Sequence, residues 1–207
     1  MEILYYILLA VGGYLMGSLS PSILLSRKAW NIDIRDHGSH NAGTTNMLRV
    51  MGWRYGVMTF AFDLVKGILP ALIGLWIGIP YGHYVAGGAA VLGHAFPLFT
   101  GFKGGKCVTT ATGMLLVVQP LFVGIAMLIG IALCFITRIV SVSVLATYTI
   151  ATILTFFMPT MPLQFSLLVT VVTILLYIRH KENIKRILKG EEKRLVVSKG
   201  KKDDLKK

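Results

Sequence analysis

The sequence predicts an all-helical integral membrane protein, and three observations carry that prediction. Of its 207 residues 55% are hydrophobic and 14% charged, against roughly 25% charged in a soluble domain. The apolar residues gather in runs near the ~20 residues that a spanning helix needs. From position 55 to position 178 there is one acidic residue, Asp63. Together these exclude a disordered chain, a coiled coil and an ordinary soluble enzyme. The length allows about five to seven spans and no second soluble domain.

The runs justify seven spans. Residues 3–26 carry no charge and are long enough to cross. No basic segment precedes them and no small-residue cleavage site follows, so they read as a retained span rather than a cleaved signal. Residues 27–54 are a polar connection rich in Asp, His, Asn, Gly and Thr. The second span is 55–77 and the third, rich in glycine, is 82–100. Residues 107–137 as one helix would be ~46 Å long, too long for a hydrocarbon core of ~30 Å. Gln119-Pro120 lies inside that stretch, and proline starts helices better than it continues them. The stretch therefore divides into a short helix, 107–118, and a full one, 120–137. The last two spans are 139–157 and 163–178.

An odd number of spans puts the termini on opposite sides. The first connection, the loop 101–106, Arg138 and the chain from Arg179 onward then share one side and hold 20 of the 21 Lys and Arg residues. The opposite side holds none. The positive-inside rule places the N-terminus outside and the tail in the cytoplasm. Trp30, Trp53, Tyr81 and Tyr177 fall near the expected interfaces, as an aromatic belt would. The chain thus reads as a membrane domain, 1–178, and a basic tail, 179–207, with 12 bases and 5 acids. Such a tail fits topology and attraction to anionic membrane lipids. Nothing resembles a nucleic-acid-binding module, so no nucleic-acid partner is expected. Cys107 and Cys134 lack partners at metal-ligand spacing, and neither a disulfide nor a zinc site is expected.

The conformationally special sequence lies on the basic side. Residues 38–46, Gly-Ser-His-Asn-Ala-Gly-Thr-Thr-Asn, are followed by Arg49. Glycines there permit tight turns, and hydroxyl, amide and N–H groups can all donate to phosphate oxygens. Arg49 can hold a phosphate by a fork of two bonds. The same composition suits a capped interfacial loop whose polar side chains satisfy the backbone. Residues 101–106, Gly-Phe-Lys-Gly-Gly-Lys, precede a helix start, where free N–H groups, the positive dipole end and two ammonium groups add together. This is not a Walker A loop, and a basic interfacial turn is the plainer reading. Asp63 and Lys66 share a helix face and read as an ion pair within a span. His94, beside Gly93 and near Pro97, reads as a packing and hydrogen-bonding residue. Arg179, His180 and Asn183 leave the last span and can cap a site from the tail side. No Ser-His-Asp set, metal cluster or dinucleotide fingerprint can be assembled, so an enzyme here needs a substrate that is already activated.

These strings, in order, resemble the bacterial acyl-phosphate:glycerol-3-phosphate acyltransferases (PlsY). The pieces are Gly17-Ser18 with Ser20 and Ser22, then Gly38-Ser39, Asn41, Gly43, Thr45-Asn46 and Leu48-Arg49. Phe62-Asp63, Lys66-Gly67, Gly93-His94 and Pro97 follow. Gly101 to Lys106 and then Arg179-His180, Asn183-Ile184 and Arg186 complete the set. The chain departs from the family at Cys107, where glycine usually repeats, at Thr44, where alanine is common, and at His40, where a small residue is frequent. The resemblance implies a multi-pass enzyme of the bacterial inner membrane. It would move a fatty acyl group from acyl phosphate to the sn-1 hydroxyl of glycerol 3-phosphate, giving lysophosphatidic acid and phosphate at the start of phospholipid synthesis. Acyl-CoA would not be the direct donor, no cofactor or metal is expected, and functional coupling to the enzyme that makes acyl phosphate follows.

On that reading Ser39, Arg49, Lys106, His180 and Asn183 are catalytic. The substrate phosphates meet Asn41, Gly43, Thr44, Thr45, Asn46, Lys103, Gly104 and Gly105, with Asp63, Lys66 and His94 in support. Acyl phosphate is a mixed anhydride, so catalysis reduces to positioning and to stabilising a developing oxyanion. No candidate base has a visible orienting partner, which points to the donor's own phosphate as proton acceptor. An organic-phosphate transporter is the rival reading, although it would prefer polar features at mid-membrane. A lipid-binding scaffold is a weaker one.

Overall fold

The computed structural model describes residues 1–200, and the regular structure in them is helical. The last seven residues of the expected tail lie outside the described residues. The described residues divide into two compact units, one of residues 1–114 with 196–200 and one of residues 115–195.

The first unit holds α1 (Glu2–Ser18), α2 (Pro21–Trp30), α3 (Thr44–Met51), α4 (Trp53–Ile77), α5 (Gly82–Ala95) and the start of α6 (Val108–Val118). The expected span 3–26 is broken. Leu19 and Ser20 are extended and Pro21 opens α2, because proline disfavours helical geometry in the residue before it and suits a first helical turn. The expected span 82–100 ends early for the same reason. Phe96, just before Pro97, leaves the helix, and Leu98–Thr100 is a single 3₁₀ turn. Helix α5 packs closely on α1 through small residues. A Cβ placed on Gly13 or Gly17 would run into the Ala86 or Ala90 carbonyl, and one on Gly93 into the Tyr14 carbonyl. Such backbone approach is how membrane helices gain dispersion contact without a hydrophobic drive. The connection 27–54 is itself folded over an apolar core of Ile23, Trp30, Ile34, Ala42, Met47, Val50 and Met51. Trp30 is 8% exposed and sits edge-on to Tyr55 at 6.2 Å, so it anchors this core and is no belt residue. Trp53 and Tyr81 are exposed.

The second unit holds the end of α6, then α7 (Pro120–Thr137), α8 (Val140–Phe157), α9 (Leu163–Arg179) and α10 (Lys181–Leu188). Helix α7 begins on the proline that split the long apolar stretch. Helices α8 and α9 are joined by hydroxyl bonds, Thr152 to Thr173 at 2.8 Å and Ser166 Oγ donating to the Thr155 carbonyl at 3.1 Å. Outward-facing Leu121, Ile125, Leu128, Phe135 and Ile136 of α7 are exposed, as a lipid-facing surface requires.

Four segments among the described residues are long and apolar enough to cross a membrane: Glu2–Trp30, Trp53–Ile77, Pro120–Thr137 and Val140–Phe157. The pair α9 and α10, bent by 65°, makes a fifth when taken as one span. Helix α5 has 14 residues and α6 has 11, ~21 and ~16 Å long.

Candidate active site

The first polar connection is built around Asn46. This residue is buried near the start of α3 and uses its whole amide. Its Nδ2 donates to the carbonyls of Ile34 and His37, both at 3.0 Å, and its Oδ1 accepts the Ser39 N–H at 2.7 Å. Sequence reasoning placed Asn46 among the phosphate donors. Its amide hydrogens are committed to the loop backbone, so it shapes the loop instead. Gly38 shows why the motif needs glycine: its φ is +65°, and a Cβ there would strike Asn46 Oδ1. His40 also lies in the left-handed region, with its Nδ1 3.0 Å from the Arg35 carbonyl. Gly43 caps α3 by accepting the N–H groups of Asn46 and Met47. Thr44 and Thr45 open the helix, and the Thr44 Oγ1 is buried without a hydrogen-bond partner. Asn46, Met47, Val50 and Met51 turn inward, which leaves Thr45 and Arg49, four apart, on another face. At the far end of α3 the Ser198 N–H donates to the Leu48 carbonyl at 3.0 Å, one of the carbonyls that a helix terminus leaves unpaired.

Arg35, which sequence reasoning passed over, and Asp33 stitch this connection to the glycine loop. Arg35 holds Asp33 with a fork, Nε to Oδ1 at 2.9 Å and Nη2 to Oδ2 at 2.8 Å. Its Nη1 donates to the Thr100 carbonyl at 3.1 Å. Hydrogen bonding from Arg35 keeps the Asp33 carboxyl far below the usual carboxylate range, against the upward push of burial. A second seam lies at Gly105, where a Cβ would collide with both the Ala42 carbonyl and the His94 ring. Gly105 is buried, Gly104 and Lys106 are half-buried, and Lys103 is exposed. The residue after them, Cys107, is buried with φ +52°. Glycine at that position would relieve a strain of ~1 kcal/mol.

Beneath the loops is a buried polar set. The Lys66 ammonium lies 2.8 Å from Asp63 Oδ1 and donates to the Leu19 carbonyl at 2.8 Å. The break between α1 and α2 leaves that carbonyl without a helical partner. His94 Nδ1 is 3.4 Å from Asp63 Oδ1 and 3.0 Å from Thr110 Oγ1. Asp63, Lys66 and His94, expected as supporting residues, therefore form one connected group.

His180 and Asn183 belong to the second unit. His180 lies between α9 and α10, buried, with its Nδ1 donating to the Leu176 carbonyl at 2.8 Å. A neutral ring thus carries its proton on Nδ1 and presents Nε2 as an acceptor. Asn183 donates its amide to Glu192. Glu192 also accepts from Ser141 Oγ at 2.8 Å and from Arg186 Nε at 2.7 Å. Burial raises its pKa, but bonds from Asn183, Ser141 and Arg186 outweigh that and hold the carboxyl below the ordinary glutamate range. Sequence reasoning missed Glu192, since one acid in a basic tail carries no distinguishing mark.

Ser39, Asn41, Gly43, Thr44, Thr45, Arg49, Lys103, Gly104, Gly105 and Lys106 thus lie on two loops and a helix of one unit, joined by Arg35 and Gly105. A family model described as glycerol-3-phosphate acyltransferase matches residues 7–190. A glycerol-3-phosphate acyltransferase from Thermoanaerobacter sp. (strain X514) is 37% identical over 194 residues, 93% of this chain and 96% of that protein. One from Streptococcus thermophilus (strain ATCC BAA-491 / LMD-9) is 36% identical over 93% of this chain and 92% of its own. Among solved structures, the glycerol 3-phosphate form of PlsY, an integral membrane glycerol 3-phosphate acyltransferase, superposes with a TM-score of 0.85. It is 34% identical and covers 92% of this chain and 96% of that one. The lysophosphatidic acid form of PlsY gives 0.82 and 33%, over 91% and 94% of the two chains. On the matching model, the relatives and the shared helical architecture, this chain belongs to the glycerol-3-phosphate acyltransferase family.

Proposed function

We propose that this protein transfers a fatty acyl group from acyl phosphate to the sn-1 hydroxyl of glycerol 3-phosphate, releasing lysophosphatidic acid and phosphate for phospholipid synthesis. Family membership supports acylation of glycerol 3-phosphate and leaves no place for the transporter reading. The observation that carries the donor assignment is the joining of two glycine-containing loops, the polar 38–46 and the basic 101–106, within one unit. Both substrates bring a phosphate, and two loops offer two sets of donors. Arg49, Lys103 and Lys106 supply charge, and Ser39, Asn41, Thr44 and Thr45 supply neutral donors around Gly43, Gly104 and Gly105. His180 and Asn183 are the further catalytic residues that the family resemblance implies. The mixed anhydride needs no enzyme nucleophile. The leaving phosphate accepts the hydroxyl proton, while the cationic and amide donors stabilise the developing oxyanion. Acyl transfer by purified protein, with acyl phosphate and acyl-CoA as alternative donors, tests this reading. Turnover is expected with acyl phosphate alone. The proton step is tested by following kcat against pH for His180→Ala, whose acidic limb should persist. Its disappearance with a ~1000-fold loss in kcat would make His180 the base.

The protein is read as a multi-pass enzyme of the bacterial inner membrane, with residues 1–178 as the catalytic domain and 179–207 as a basic cytoplasmic tail. Seven crossings, with α6 short of the far surface, put the N-terminus outside, and functional coupling to the enzyme that makes acyl phosphate follows from its donor. What supports the orientation is the placement of 20 of 21 basic side chains on one side. Single cysteines at position 103 and in the tail, in a background lacking Cys107 and Cys134, should be protected from external reagent in intact cells. Labelling at either would reverse the topology.

A further inference from the structure

We propose that His94 is a positioning residue for the phosphate-holding loop, its imidazole edge acting as the wall against which Gly105 is seated. This rests on the reading of residues 103–106 as that loop. Four groups, from α4, α6 and the α1–α2 joint, hold the ring and its supports. Thr110 of α6 and Asp63 of α4 face Nδ1 at 3.0 and 3.4 Å. Lys66 neutralises Asp63, and the Leu19 carbonyl at the α1–α2 joint takes a second Lys66 bond. With Nδ1 facing this set, the opposite edge of the ring points at the loop. A Cβ on Gly105 would fall on His94 Nε2, and one on Gly104 on the His94 carbonyl.

His94 grips the loop twice. Its carbonyl accepts the Gly105 N–H at 3.2 Å, and its ring blocks the space on the same residue. The Ala42 carbonyl lies against the same Cβ position of Gly105, so the first loop and the ring both border this peptide. Lys106 follows directly, and its register is inherited from that grip. The chemistry asked of the ring is shape and rigidity, not proton transfer. A displacement near 1 Å in such a loop costs up to roughly 100-fold.

The experiment compares His94→Ala, His94→Gln, Gly105→Ala and the His94→Ala/Gly105→Ala double variant with wild type, measuring kcat, KM for each phosphate substrate, the pH profile and thermal midpoint in detergent. His94→Ala is expected to raise KM for one phosphate substrate by roughly 10- to 100-fold, with a much smaller loss in kcat. His94→Gln, which refills the space at Nε2 but cannot act as a base, is expected to recover most of that loss with an unaltered pH profile. The double variant is expected to be less impaired than the two single effects multiplied, because removing the ring vacates room for the added methyl group. Equal loss of kcat in the alanine and glutamine variants, with the acidic limb gone, would overturn the proposal in favour of a catalytic base. Strict multiplicativity, or unchanged KM in His94→Ala, would also overturn it. Should His94→Ala fail to fold, the glutamine variant and Gly105→Ala decide the question through their KM values. Absence of acyl transfer in the wild type would instead defeat the proposed function.

Discussion

Arg49→Ala should lose roughly 100- to 1000-fold in kcat/KM, the scale of removing one donor from developing charge. The position of Arg49 is set by α3. Its inward face is fixed by Asn46, Met47, Val50 and Met51, and Asn46 ties that face to the backbone of the first loop. Arg49 rides on this short helix with Thr45 one turn earlier. Its position is therefore set by packing and by the Ser198 bond to the Leu48 carbonyl. A guanidinium offers a planar fork to a phosphate, whereas an ammonium offers a point charge. Arg49→Lys should consequently lose much of the activity while folding normally. Steady-state kinetics with both substrates varied would measure this. Full activity in the lysine variant would mean that the fork is not used.

The helical spans were legible in sequence because hydropathy and proline mark them. Helix α7 begins at Pro120, where the overlong apolar stretch had to divide. The same sign at Ser20-Pro21 lies in a charge-free run, and hydropathy alone reads straight through it. Only the Lys66 bond to the Leu19 carbonyl shows that the break is used. The two loops were legible as anion-binding candidates from glycine, hydroxyl and basic residues together. Their joining was not, because Arg35 reaches a main-chain carbonyl 65 positions away, and no side-chain pattern records a carbonyl acceptor. Asn46 illustrates a further limit. An amide among glycines fits a phosphate and a loop backbone equally well, and only its three bonds decide. His40 and Cys107, two of the departures from the family pattern, both have left-handed backbone, with φ of 59° and 52°. Glycine alone adopts that geometry without a Cβ penalty, so this chain carries strain at Cys107.

Lys66→Ala should cost about 3–5 kcal/mol of stability, the scale for leaving one partner of a buried ion pair uncompensated. Asp63 and Lys66 are 2% and 6% exposed, so water cannot replace the missing charge. Asp63→Ala should do similar damage, since the ammonium would keep only the Leu19 carbonyl. Replacing both together, as Asp63→Leu with Lys66→Met, removes the uncompensated charge and should restore much of the loss. Restoration will be incomplete, because the Leu19 carbonyl loses its donor. Stability and activity should then separate. The double variant folds, but Asp63 no longer faces His94, so the wall behind Gly105 loses one of its supports and KM for a phosphate substrate rises. Thermal midpoints in detergent and steady-state kinetics on the same preparations would follow both properties. A Lys66→Ala protein that melts with wild type would show that the pair does not hold the α1–α2 joint. A double variant with wild-type KM would show that Asp63 does not support the loop.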